Sequence, residues 1–139
     1  MQNAALRYRK RALSYITFAD GSNDATLTTD VTFAALFYFN SDGDLMTGGL
    51  FILVDSNLPY IAFQKSTTRP DNIGSWQIDA NGALIFTDVD GFCVTIDTSV
   101  FIIISGGVGP VGCVNISLAI DGMLYLHQSK SIISVLTLF

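Results

Sequence analysis

Glutamate is absent from this chain of 139 residues: all twelve of its acids are aspartate. The short Asp carboxylate bonds to nearby backbone and favours turns, whereas Glu suits helices, so the missing residue weighs against a helical fold. Charge of either sign is scarce, at 14% of residues, where an average globular protein carries roughly 25%. A single His and two Cys cannot make up a standard four-ligand zinc site, and no cofactor is expected. Long apolar runs are also missing. The longest stretches, "FIIIS" and "SIISVLTLF", are strand-sized and fall short of the ~18 residues that a membrane-spanning helix needs. Half of the chain is nevertheless apolar. Apolar excess without a span predicts a β-rich core or a surface that meets another subunit.

What is present fits an all-β chain. Twelve glycines accompany abundant Val, Ile, Thr and Phe, and turn signals flanked by apolar alternation recur at Asp20-Gly21, Asp42-Gly43, Asn81-Gly82, Asp90-Gly91 and Asp121-Gly122. Asn-Gly and Asp-Gly are strong hairpin signals because a tight two-residue turn needs φ > 0 at both central positions. Asp42, Asn81 and Asp121 are 39 and 40 residues apart, within the similar phrases "FYFNSDGDL", "WQIDANGAL" and "SLAIDGML". That period suggests three related β units. The expected fold is a hairpin-rich single domain over residues 12–139, β-trefoil-like or a β-sandwich or barrel. Gln64–Ser75 and Ser105–Gly112 read as its longer loops.

Residues 1–11, "MQNAALRYRKR", hold four of the seven basic residues. They read as a basic leader or propeptide ending at the dibasic pair Lys10-Arg11, against a solvated tail or a nucleic-acid arm. No apolar stretch of signal-peptide type precedes the pair. Removal of the segment leaves three basic residues against twelve acids, a body that repels nucleic acid, so no nucleic-acid partner is expected.

Cys93 and Cys113 admit a disulfide, two buried thiols or unrelated roles. A bridge would close a loop of about 20 residues, worth on the order of 3 kcal/mol in the chain-entropy model. Asn115-Ile116-Ser117 is a glycosylation sequon, and with the cysteines it points to secretion.

Catalytic candidates are thin. "IDTSV" at Asp97 comes near an aspartic-protease signature, with Ser99 where glycine belongs. Asp42/Asp44 and Asp88/Asp90 offer carboxylate oxygens suited to Ca²⁺, but without EF-hand spacing. The glycines of "GGVGPVG" lack the Gly-Lys-Ser/Thr ending of a phosphate loop. His127 with Ser129 or Ser131 does not spell a triad, and an ordinary strand explains it. Trp76 on an alternating strand reads first as core and second as a sugar-stacking platform.

The phrase "LFYFNSDGDL", the stretch "GSWQIDANGALIF" and the two cysteines, the second opening "CVNISLAI", resemble the fungal cell wall PhiA family over roughly residues 32–120. More distantly, the chain is similar to the C-terminal domain of yeast wall proteins with internal repeats, which carry Trp-Ser-Ile, spaced cysteines and Lys-Arg processing. Ricin-type lectin repeats also place a Trp before a glycine turn, but Gly74 stands where they have Gln. The resemblance implies a secreted, non-enzymatic structural protein of a fungal wall or surface, pinned by a Cys93–Cys113 disulfide. It would be a homo-oligomer or polymer in contact with wall polysaccharide. Ile132, Val135 and Leu138 in the tail are candidates for a strand that pairs with a neighbouring copy, the alternative being an internal strand. The second functional expectation is a carbohydrate-binding lectin-like module that uses exposed aromatics such as Tyr60 or Trp76.

Overall fold

The computed structural model describes residues 13–70, 75–121 and 131–136. Among the described residues there are thirteen strands: β1 (Leu13–Phe18), β2 (Ala25–Thr28), β3 (Leu36–Phe39), β4 (Leu45–Thr47), β5 (Leu50–Ile52), β6 (Tyr60–Ala62), β7 (Lys65–Ser66), β8 (Trp76–Ile78), β9 (Leu84–Phe86), β10 (Val89–Val94), β11 (Val100–Ile104), β12 (Val114–Asp121) and β13 (Ser131–Leu136). Eleven form one antiparallel sheet in the order β6-β11-β10-β12-β13-β3-β4-β5-β7, with β1 attached to β13 and β2 to β1. The remaining pair, β8 and β9, is a separate hairpin.

The sheet curls until its ends meet. Thr26 bridges Ser99, and Asp24 bridges Gln64. Ala25 N–H donates to the Phe63 carbonyl at 2.8 Å, and Leu27 N–H donates to the Thr98 carbonyl at 3.2 Å. Through these ties the path β2-β1-β13-β12-β10-β11 returns on itself. The all-β expectation therefore holds in its sandwich/barrel form. One continuous sheet, rather than a set of separate hairpins, carries the fold.

Alternation explains which side chains fill it. Val100, Ile102 and Ile104 of β11 are buried while Phe101 and Ile103 between them are partly covered. Ile116 and Leu118 of β12 point inward, as period-two geometry requires. They meet Ile16, Phe37, Phe63, Phe92, Ile133 and Val135 in one cluster. Phe63 sits at its centre, fully buried, with ring centroids 6.2 Å from Phe37 and 6.3 Å from Phe92.

Three hairpin turns share one hydrogen-bond pattern. Asn40 N–H donates to the Asp44 carbonyl at 3.1 Å, and Gly43 N–H donates to the Asn40 carbonyl at 3.1 Å. Asp79, Gly82 and Ala83 repeat this at 2.9 and 3.0 Å, and Thr95, Thr98 and Ser99 repeat it at 3.0 and 2.9 Å. Each is a three-residue loop whose last member has positive φ: 83° at Gly43, 83° at Gly82 and 67° at Thr98. Only that one position is left-handed, so Asp42 and Asn81 are not in two-residue turns as their Asp-Gly and Asn-Gly pairs suggested. The first residue's side chain explains why. The Asn40 side-chain carbonyl accepts from the N–H groups of Asp42 and Asp44, as the Asp79 carboxylate does from Asn81 and Ala83. These bonds fix a wider loop. The true two-residue turn is Gly48-Gly49, both with positive φ, joining Thr47 to its partner Leu50.

Two further expectations change. Asp90-Gly91 is no turn; it lies within β10 at a register shift between Val89 and Gly91, a bulge that absorbs the extra residue. The tail strand is internal. β13 pairs with β12 on one edge and with β3 and β1 on the other, and Ile132 through Val135 are all buried. With both edges bonded within the chain, Ile132 and Val135 have no free strand edge to offer a second copy, and Leu138 lies outside the described residues. Lys10, Arg11, His127 and Ser129 lie outside them as well.

Phe63→Ala should cost about 3–5 kcal/mol, read by chemical denaturation. Thr98→Gly should raise stability by about 1 kcal/mol, because a β-branched residue at positive φ is strained, visible as a higher denaturation midpoint.

Candidate functional site

The most built feature of the surface is the loop that follows β11. Cys93 on β10 is bonded to Cys113, so the segment between Ser105 and Cys113 folds back over the outer face of β10. Cys93 is wholly buried beneath it. A Cβ at Gly109 would lie 2.7 Å from Cys93 Sγ, and one at Gly107 would lie 2.0 Å from the Pro59 carbonyl oxygen. Gly107 and Gly109 of "GGVGPVG" are therefore used for close packing, while Gly106 and Gly112 supply positive φ, 80° and 81°.

Asp90 holds the loop's start. Its carboxylate accepts from the Ser105 hydroxyl at 3.2 Å and from Gly106 N–H at 2.9 Å. Between loop and sheet runs a groove of about 510 Å³, lined among others by Asp90, Gly91, Ile103, Val108, Pro110 and Asn115. It adjoins a smaller depression of about 200 Å³ beside β9, whose walls share Asp90, Gly91, Phe92 and Ile116. The volume suits a small ligand, and the lining combines apolar side chains with one amide and one carboxylate. Sequence reasoning located the loop and the cysteines. It missed the groove, because nothing local shows that a loop will fold across Gly91.

The acidic candidates are occupied by turns. Asp97 accepts from the Thr95 hydroxyl and from Ser99 N–H at 3.3 Å. The Thr95 hydroxyl, then the Ser99 amide, hold its carboxyl below the ordinary value of 3.8. Asp30 is likewise lowered by the Thr32 hydroxyl and amide. Asp44 takes the Asn40 amide at 3.0 Å and Arg69 Nε at 2.8 Å. Among the described residues no cluster of three His, Cys, Asp or Glu is placed to hold a metal, and no helix is long and apolar enough to cross a membrane.

Trp76 is core. It is buried, with its ring 5.0 Å from Phe86 and stacked at 17° on Phe92, so it presents no face to a sugar. Gln77 and Ile78 on the same strand are exposed, so the alternation seen at Trp76 does not carry to Ile78. Tyr60 is half-buried, edge-on to Phe101 at 5.7 Å. Neither aromatic lines the groove.

Residues 1–123 match the family described as a domain of unknown function, DUF7908. The chain belongs to the DUF7908 family. No curated protein and no solved structure matches it.

Replacing both cysteines by alanine should cost about 3 kcal/mol for a loop of this length, measured by denaturation of the double variant against the oxidised protein. The lowered carboxyls of Asp30 and Asp97 contribute stability that is complete above their unfolded value near 3.8 and is lost as pH falls through their lower folded values. Melts of Asp97→Asn should accordingly lose part of the wild type's decline at acid pH.

Proposed function

We propose that this chain is a secreted, non-enzymatic structural protein of a wall or cell surface that associates with copies of itself through apolar side chains held on a rigid β frame. The observation that carries the reading is the apolar turn before β3. Val31 and Phe33 sit in a 3-10 turn (Val31–Phe33), and Phe33 is 67% exposed. The turn is fixed at both ends. The Asp30 carboxylate accepts from Thr32 N–H at 3.0 Å and from its hydroxyl at 2.7 Å, while the Thr17 hydroxyl donates to the Phe33 carbonyl at 2.6 Å. A large apolar side chain carried on a backbone turn that is already fixed costs less entropy to dock than one on a free loop. Leu36 at the start of β3 adds a third exposed apolar residue.

The disulfide fits an oxidising compartment. The resemblance to the PhiA family supplies the fungal wall as the setting and wall polysaccharide as a contact. The lectin-like alternative has less to rest on, because Trp76 is in the core and neither it nor Tyr60 lines the groove.

Light scattering with electron microscopy of the secreted protein tests the proposal. Ordered oligomers are expected, and Phe33→Asp should abolish them without lowering thermal stability. A wild-type protein that stays monomeric at high concentration would falsify it.

A further inference from the structure

Asn115 stands beside the groove with a sequon on a strand. On β12, Ile116 is buried in the core while Asn115 is exposed and Ser117 is partly exposed on the opposite face. Residues two apart on a strand point the same way. The amide and the hydroxyl that the glycosylation reaction needs thus share the outer face. Asn115 lines the groove opposite Val108 and Pro110 of the disulfide-pinned loop. The groove floor at Gly91 is open, and a Cβ there would meet nothing within 4 Å.

We propose that Asn115 carries an N-linked glycan whose first sugars lie along the groove between the 105–113 loop and the outer face of β10 and β12, closing it to other ligands. In the transfer step Asn115 Nδ2 bonds to C1 of the first sugar of a lipid-linked oligosaccharide. The bond from that carbon to the lipid pyrophosphate breaks, the pyrophosphate leaves with the lipid, and the amide nitrogen gives up one proton. Two separate observations support the site. The disulfide between Cys93 and Cys113 belongs to the compartment in which this transfer takes place. The geometry leaves the amide outside the core, with room beside it. The sugars would cover Val108, which is 75% exposed, and apolar surface covered by a glycan is withdrawn from association. Self-association would then use the Val31–Phe33 turn rather than the loop.

This inference rests on the secreted reading, and its test is independent of the chain's natural destination. The full chain is expressed behind a signal that directs it into the secretory pathway of a eukaryotic host, and its intact mass is read before and after peptide-N-glycosidase treatment. A glycan is expected that disappears in Asn115→Gln and in Ser117→Ala and returns in Ser117→Thr. A secreted, disulfide-bonded chain with bare Asn115 overturns the site. Failure of the secreted reading shows itself separately, as an intracellular location of the untagged protein in its own cells. For the covering, enzymatic removal of the sugars should raise the fluorescence of an apolar dye, and Val108→Ser should cancel the rise. Unchanged dye binding overturns the placement in the groove.

Discussion

The backbone and side chain of Phe63 act together as the joint on which the two parts of the sheet depend. Its N–H donates to the Val100 carbonyl at 2.9 Å, and its carbonyl accepts from Ala25 at 2.8 Å. One residue thus ties the β6 segment to both β11 and β2. Its ring meets Phe37, from the β3 side, and Phe92, from the β10 side. Without that aromatic wedge the curled sheet would have a void where its layers converge, and close-packed interiors tolerate such voids poorly. The neighbouring Gln64 carbonyl accepts from Leu53, so the same short segment also anchors β5. Sheet closure, core packing and attachment of the β3-β4-β5 arm all meet within a few residues.

Outside that centre the surface is organised by local polar bonds rather than by ion pairs. Asp30, Asp79, Asp90 and Asp97 each bond to turn or loop groups near them in sequence or in space. The all-aspartate composition thereby gains a structural meaning: these carboxylates hold turns and loop ends. The disulfide extends the same logic to the longest loop. It holds a glycine-rich segment against the sheet where too few side chains exist to pack it. The result is a frame with apolar side chains such as Phe33 and Val108 exposed at defined points.

Legibility varied with the range of the interaction. The strand at Val100–Ile104 and the loop after it were readable, because alternation and glycine content are local signals. The hairpins at Asp42 and Asn81 were readable as hairpins but not as turn types, since the caps from Asn40 and Asp79 outweigh the Asn-Gly and Asp-Gly preference. Thr95–Ser99 belongs to the same turn family and escaped notice because threonine occupies the glycine position. The near-40-residue spacing did reflect a real likeness between two turns. The third phrase, at Asp121-Gly122, runs outside the described residues.

The sequence by itself determined the all-β class and the hairpins at Asp42-Gly43 and Asn81-Gly82. Each of these follows from neighbouring residues and from composition. Tertiary structure alone decided that "SIISVL" is bonded on both edges and that a groove forms over Gly91 beside Asn115. The groove follows from the disulfide that folds the 105–113 loop back over β10, and the internal place of β13 from its pairing with β1 at the far end of the chain. Pairing of that kind is settled by the global closure of the sheet, which no local pattern encodes.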